Sequence, residues 1–428
     1  MNDLLDLDKK LIWHPFTPLV SEISPILIEK AEGVYLHTAD GRKIIDAISS
    51  WWVNLHGHGH EYIAKAISAQ AMKMEHVIFA GFTHEPAIRI SQRVLSILPD
   101  NQVKIFYSDN GSTAVEVAIK MALQYWHNNN HTKKRVIALE GAYHGDTFGA
   151  MSVAERGPFN AAFQSHLFNV EFIPFPTEEN FEEVKRKLFA LTQSKDVAAF
   201  IYEPLLQGTA GMRMYSEEML DEMISIAHQN ETLCIADEVL TGFGRTGKLF
   251  ASLYCKNQPD IMCLSKGITG GFMPFGATTC NQKVLSAFES SESIKTLYHG
   301  HSYTANPISC AAANASLDLL LSADCRESLI RINISHKKFI ERVKSERIKD
   351  IRCLGTVMAV ELKDEGNASY FSALRKIIYP YFLKKNILLR PLGNIIYILP
   401  PFVIKDEELE IIYNEIENFL KMDFNPVE

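Results

Sequence analysis

The sequence predicts an α/β fold in which a large domain holds a mostly parallel central sheet and a smaller α+β domain accompanies it. Three observations predict it. Short, continuous apolar runs alternate with helical patterns through the middle of the chain, the mark of strands covered on both faces. Polar residues collect where those runs end, which is where open α/β sheets bind their ligands. After about residue 306 the pattern changes to a small-residue helix, a long charged helix and a few further strands.

The N-terminal segment 1–50 contains VYLHTADGRKIIDA, which reads as a hairpin turning at Asp40-Gly41 and is expected to help complete the smaller domain. The large domain is expected over 51–315. Its strands are VKIFYSD (103–109), RVIALEG (135–141), VAAFIYEP (197–204), TLCIADE (232–238), DIMCLSKG (260–267) and FGATTC (275–280). Between the first two, DNGSTAVEVAIKMALQYW opens a long amphipathic helix, with Thr113 and Glu116 spaced as a capping box. The smaller domain is expected over 316–428. It should contain a helix over 324–347, the strands of IRCLGTVMAVEL, a helix near 370–385, NILLRPLGNIIYILPP and a closing amphipathic helix over 406–421. No internal repeat or low-complexity linker interrupts this order.

With 428 residues and 47% hydrophobic content the chain can bury a large core. Its 43 basic and 51 acidic residues give a net charge of −8 without any like-charged block, which argues against nucleic acid or an anionic membrane as partner. The opening MNDLLDLDKK is acidic where a secretory signal is basic and then apolar, and no run reaches the length of a membrane span. The seven cysteines are scattered singly, which argues against a disulfide or zinc framework. A cytoplasmic enzyme acting on small molecules is the expectation.

Two motifs mislead. GFGRTGK (242–248) imitates both a dinucleotide and a triphosphate loop, yet Leu249 stands where a magnesium-binding hydroxyl is needed, and Asp260 comes too early to hold a ribose. HGHGH (56–60) offers three alternating histidines, but no carboxylate or cysteine completes a metal set and the glycines fit a loop. No metal is expected.

The chemistry lies in three strand ends. Lys266 closes an apolar run and opens GITGG, although burying an unpartnered ammonium is costly. A partly desolvated lysine has a lowered pKa and becomes a nucleophile toward an aldehyde. Asp237, ending TLCIAD, could hold a protonated pyridine nitrogen. Gly111 and Ser112 open a helix whose N-terminal amides suit a phosphate. Separately each has a plain explanation, since Asp237 could cap a loop, Lys266 could snorkel and Gly111-Ser112 could belong to an ordinary capped helix. Together they specify pyridoxal 5′-phosphate, with lysine for the Schiff base and Tyr143 of EGAYHGD as an aromatic face for the ring.

With those residues assembled, the chain resembles the class III aminotransferases of fold type I over essentially its full length. The resemblance is carried by IADEVLTGFGRTGKLFA (235–251), LSKGITGG (264–271) and YHGDTFGAMSV (143–153). Within the class, IWHPFTPL (12–19), SSWWVNLHGH (49–58), KMALQYW (120–126), LLQGTAGMRMY (205–215) and RPLGNIIYILPP (390–401) are similar to the biotin-synthesis branch. That branch moves an amino group from S-adenosylmethionine, or in a minority from lysine, to 8-amino-7-oxononanoate. S-adenosylmethionine is the expected donor, and a diamine or γ-amino acid ω-aminotransferase is the alternative. Many of those carry Gln-Gly-Glu where this chain has Gln207-Gly208-Thr209.

The resemblance implies a role for each residue. Lys266 would carry the cofactor and shuttle the proton, and Asp237 would hold the pyridine nitrogen. Gly111 and Ser112 would bind the phosphate, joined by His301 and Ser302 from the other subunit of a homodimer. Phe16, Trp51, Trp52, Tyr143, Asp146 and Gly300 would line the substrate, and Arg390 would grip the keto acid's carboxylate with its guanidinium fork. By their size alone, either tryptophan could equally be core. Two positions depart from the family pattern: Phe16, where tyrosine is common, and His301-Ser302, where many members read Pro-Thr. No DNA-binding module is visible, so a regulator built on this fold is set aside.

Overall fold

A computed structural model of the chain describes residues 2–20, 24–364, 372 and 374–422. Sixteen strands are defined among these residues. They are β1 (Ile28–Glu32), β2 (Tyr35–Thr38), β3 (Lys43–Asp46), β4 (Gln102–Ser108), β5 (Arg135–Leu139), β6 (Glu171–Ile173), β7 (Val197–Tyr202), β8 (Leu206–Gln207), β9 (Arg213–Met214), β10 (Leu233–Asp237), β11 (Ile261–Leu264), β12 (Gly276–Asn281), β13 (Ile348–Leu354), β14 (Val357–Leu362), β15 (Ile387–Leu388) and β16 (Ile395–Ile398).

Seven of them form the central sheet in the order β4-β12-β11-β10-β7-β5-β6. The neighbours from β11 to β6 pair parallel, whereas β12 runs antiparallel to both β4 and β11. Alternate residues of one strand feed different apolar clusters. Val136 and Ala138 pack with Ala114, Val117 and Ala118 of the helix Gly111–Asn128. Ile137 and Leu139 join Val184, Leu188, Leu220 and Ile224 from the helices Phe181–Gln193 and Glu217–Gln229. Both faces are therefore covered, which explains why these strands read as unbroken apolar runs. Each fully buried aliphatic side chain of this kind contributes about 1.5–3 kcal/mol.

Chain ends that are distant in sequence meet beside this sheet. β1, β2 and β3 form antiparallel neighbours, with Asp40 and Gly41 in the connection between β2 and β3, and β15 adds parallel to β3. β13, β14 and β16 form an antiparallel sheet. The helices Ala323–Arg342 and Asp406–Lys421 pack together, with the Phe339 and Tyr413 rings stacked at 4.5 Å and His336 Nδ1 2.7 Å from the Tyr413 hydroxyl. The helix expected near 370–385 spans Leu374–Lys384, and residues 370, 371 and 373 lie outside the described residues, as do Met1, 21–23 and 423–428 of the two terminal segments. Among the described residues no helix is long and apolar enough to cross a membrane.

One expectation needs correction. The capping box at Gly111–Asn128 is built by Asn110 and Thr113, whose side chains each accept from the other's backbone N–H. Glu116 instead reaches across space and accepts the N–H groups of Gly149 and Ala150. The histidines of HGHGH part company: His56 Nε2 lies 3.1 Å from the Ser316 hydroxyl, His58 Nε2 lies 2.8 Å from Asp46, and His60 precedes the helix Glu61–Lys73.

Candidate active site

A cavity of about 650 Å³ opens at the carboxyl ends of β4, β5, β7, β10 and β11. The sheet geometry places five successive segments around it: 109–112 after β4, 143–147 after β5, Glu203 after β7, Asp237 ending β10, and 265–266 after β11. Asp237 and Cys263 are register partners on paired parallel strands, so Asp237 and Lys266 project from adjacent strand ends.

Lys266 stands with its Nζ 4.7 Å from the centre of the Trp52 ring. Lys266 is half-buried and lines the cavity. Burial lowers the amine's pKa from 10.5 to about 8, partly opposed by the negative charges of Asp237 and Glu203. A neutral fraction of the amine is thus available near physiological pH, which a nucleophile toward a carbonyl requires.

Asp237 is buried and held from two directions. Its Oδ2 lies 2.7 Å from His144 Nδ1, and its Oδ1 accepts the Val239 N–H at 3.0 Å. His144 is itself buried, and its Nε2 has no hydrogen-bond partner. Glu203 accepts the N–H groups of Tyr143 (3.1 Å) and Gly208 (2.9 Å), and burial raises its pKa to about 7. Tyr143 donates its hydroxyl to Asp146 at 2.9 Å, and its pKa is driven upward by burial first and by Asp146 second. Neither His144 nor Glu203 is singled out by sequence reasoning. Glu203 ends an apolar run as Asp237 does, so the same strand-end logic reaches it; His144 becomes visible only through its contact.

Across the cavity the helix Gly111–Asn128 begins. The first amides of a helix have no partner within it, and Asn110 takes that of Thr113, which leaves those of Gly111 and Ser112 at the cavity wall. The Ser112 hydroxyl lies 2.8 Å from that of Thr147 and accepts the Thr147 N–H at 3.0 Å. The two chains approach closely enough that a Cβ on Gly145, whose φ is +124°, would come within 2.3 Å of Ser112 Oγ. Amine, carboxylate and anion cradle therefore surround one cavity, and the donor set suits pyridoxal phosphate: a nucleophile for its aldehyde, an acid partner for its ring nitrogen and N–H and O–H donors for its phosphate.

The remaining expected residues fall into two groups. Trp51, Phe16 and Arg390 are not among the residues that line the cavity; they form a cluster of their own, beside the cavity-lining Trp52 in sequence, with Phe16 5.6 Å from Trp51 and the Arg390 guanidinium 4.8 Å over the Trp51 ring. Phe159 adds a third ring, 6.3 Å from Phe16. Trp52 belongs to core and cavity at once: it is 4% exposed, and its Nε1 donates to the Tyr397 hydroxyl at 3.0 Å. Gly300, His301 and Ser302 do not line the cavity of their own chain. Their loop precedes the helix Pro307–Leu320 and is held by Thr304 and by a His76–Tyr303 ring contact.

The glycine loop 242–248 is a packing element. Arg245 is fully buried, donates to the carbonyls of Asn54 (2.9 Å) and Pro400 (2.7 Å), and lies 4.8 Å over the Phe402 ring. Gly355 approaches the Thr246–Gly247 backbone so closely that a Cβ would stand 2.2 Å from it.

This arrangement defines a class. Residues 19–420 match the family "Aminotransferase class-III", and the chain belongs to that family. It is 45% identical over 419 residues to the adenosylmethionine-8-amino-7-oxononanoate aminotransferase of Synechococcus elongatus, covering 96% of this chain and 98% of that protein. The crystal structure of the protein of that name from Methanocaldococcus jannaschii superposes with a TM-score of 0.91 at 34% identity, covering 98% of this chain and 99% of that one. An amine transaminase from an uncultivated Pseudomonas species, solved in its PLP-bound form, gives a TM-score of 0.88 at 26% identity, covering 96% and 98% of the two chains.

Proposed function

We propose that the protein is a pyridoxal-phosphate-dependent aminotransferase that moves an amino group from S-adenosylmethionine to 8-amino-7-oxononanoate, giving 7,8-diaminononanoate. The observation that carries the reading is the convergence of Lys266, Asp237 and the Gly111–Ser112 helix end on one cavity, in a chain 45% identical over nearly its whole length to a protein named for this reaction.

The bound cofactor supplies an electrophilic carbon for the amine and an electron sink for the carbon that loses a proton. Lys266 anchors it and then, as a free amine of lowered pKa, takes the proton from the donor's α-carbon and returns it. Asp237 keeps the ring nitrogen protonated, and His144 holds that carboxylate in place. The Gly111 and Ser112 amides and the Ser112 and Thr147 hydroxyls hold the phosphate. Tyr143 walls the ring, and Asp146 fixes the Tyr143 hydroxyl. Trp51 and Phe16 flank the keto acid's alkyl chain, and Arg390, clustered with them, takes its terminal carboxylate.

Residues 300–302 are assigned to the phosphate and substrate of a second copy, so the working unit is a homodimer. Segment 1–50 and residues 316–428 are read as one smaller domain around the large domain 51–315, through the β3–β15 pairing. The free cysteines suit a reducing cytoplasm.

The test is the visible absorption of the purified protein, titrated separately with S-adenosylmethionine and with lysine. A cofactor band that changes only with S-adenosylmethionine supports the reading. A change with lysine alone keeps the class and replaces the donor, and the lack of any band after adding cofactor overturns it. Mixing Lys266→Ala with Ser302→Ala protein tests the shared site, because mixed dimers regain one intact site and should recover activity.

A further inference from the structure

The turn that follows β3 contains three left-handed residues, none of them glycine: Ser49 at φ 53°, Ser50 at φ 59° and Trp52 at φ 67°. Side-chain-bearing residues stay in that region only where their surroundings over-determine them. Here one buried carboxylate does much of it. Asp46 is fully buried. Its Oδ1 accepts the Ile48 N–H at 3.2 Å, and its Oδ2 accepts the Ser50 N–H at 2.6 Å and the Ser50 hydroxyl at 3.0 Å. His58 Nε2 completes the set, 2.8 Å from the same Oδ2.

His58 is fixed in turn. Its backbone N–H and C=O both pair with Gly33, at 2.7 and 3.0 Å, and its Nδ1 lies 3.2 Å from the Asn54 side-chain amide. With Nε2 facing a carboxylate, the proton sits on Nε2 and the ring donates it. The turn so held carries two rings, of which Trp52 lines the cavity. Trp52 lies beside the Lys266 amine, and Trp51 lies between Phe16 and Arg390.

We propose that Asp46 and His58 are a positioning pair for acceptor recognition: the buried carboxylate, aimed by the imidazole, sets the left-handed turn that places Trp51 under Arg390. This rests on the reading of Trp51 and Arg390 as the keto-acid wall. Neither Asp46 nor His58 lines the cavity, so they act through the turn. The Asp46 charge also favours the buried Arg245 guanidinium, which makes His58→Gln, with the carboxylate retained, the more selective variant.

The experiment compares the wild-type holoenzyme with His58→Gln and Asp46→Asn in three readouts. These are KM and kcat for the keto acid, the rate at which the donor alone converts the cofactor band, and acrylamide quenching of tryptophan fluorescence in a Trp13→Phe background. His58→Gln should raise the keto-acid KM by about 10- to 100-fold, leave the donor step unchanged and alter quenching of Trp51. Unchanged KM and quenching overturn the proposal, and so does an equal loss in both half-reactions without a change in quenching. Should Asp46→Asn fail to fold, His58→Gln decides alone. A wild-type protein that does not turn over the keto acid sinks the substrate reading instead, and the quenching comparison still decides whether the pair sets the turn.

Discussion

Replacing Lys266 by methionine tests the electrostatics of the site without any substrate. In the cofactor-free protein burial lowers the lysine from 10.5 to about 8. At about 1.4 kcal/mol per unit, the folded state loses about 3.5 kcal/mol by holding that charge at low pH. The sign follows from proton counting. Between pH 8 and 10.5 the unfolded chain keeps its lysine protonated while the folded chain does not, so native stability rises with pH across that window. Below pH 8 both states carry the proton and the full penalty stands. Methionine at 266 has a similar stem and no charge. Lys266→Met should therefore exceed the cofactor-free wild type by up to about 3.5 kcal/mol at pH 7, with the gap closing as pH rises toward 10.5. Urea denaturation of both proteins at half-unit pH steps measures it, and titrating groups that do not interact with Lys266 cancel in the difference. A gap that stays constant from pH 7 to 10.5 would refute the argument, because it would mean that Lys266 titrates alike in the folded and unfolded chains.

Three further outcomes are expected. Asp237→Asn should lower kcat by about 100-fold or more with the cofactor still bound, since it removes a charge aimed at the reacting ring; stopped-flow measurement of the donor half-reaction checks it. Arg390→Ala should raise the keto-acid KM by about 10- to 100-fold and leave the donor half-reaction unchanged, as expected for the loss of charge-assisted hydrogen bonds to one substrate. Gly145→Ala should weaken cofactor binding by about tenfold or more, measured as Kd by equilibrium dialysis, because its φ of +124° and its approach to Ser112 leave no room for a methyl group.

Much of the sheet was legible because its strands are apolar on both faces. TLCIADE becomes β10 over Leu233–Asp237, and RVIALEG becomes β5 over Arg135–Leu139. Lys266 and Asp237 were legible for the same reason, as charged residues standing where buried strands stop. Strand order was not, since periodicity says which faces are covered and nothing about which strands are neighbours; the antiparallel insertion of β12 between β4 and β11 has no local signal. The turn at Ser49–Trp52 escaped because it uses left-handed residues without glycine, held by a carboxylate and an imidazole twelve positions apart. Glu116 was misread as a local cap because its partners, Gly149 and Ala150, lie 33 and 34 residues on.

The junction between the two ends of the chain governs when the site can come into being. Ile387 and Leu388 pair with β3, Leu399 N–H bonds to Ala47, Phe402 N–H bonds to Leu55, and Tyr397 receives the Trp52 indole. Every one of these contacts fixes residues 45–55, the stretch that carries Trp51 and the cavity-lining Trp52. During synthesis Lys266, Asp237 and the helix Gly111–Asn128 leave the ribosome more than a hundred residues before the strands that brace this stretch. The nascent chain therefore presents the Lys266 amine in an unfinished pocket, and the turn that carries Trp51 and Trp52 is fully braced only after residue 402 has emerged.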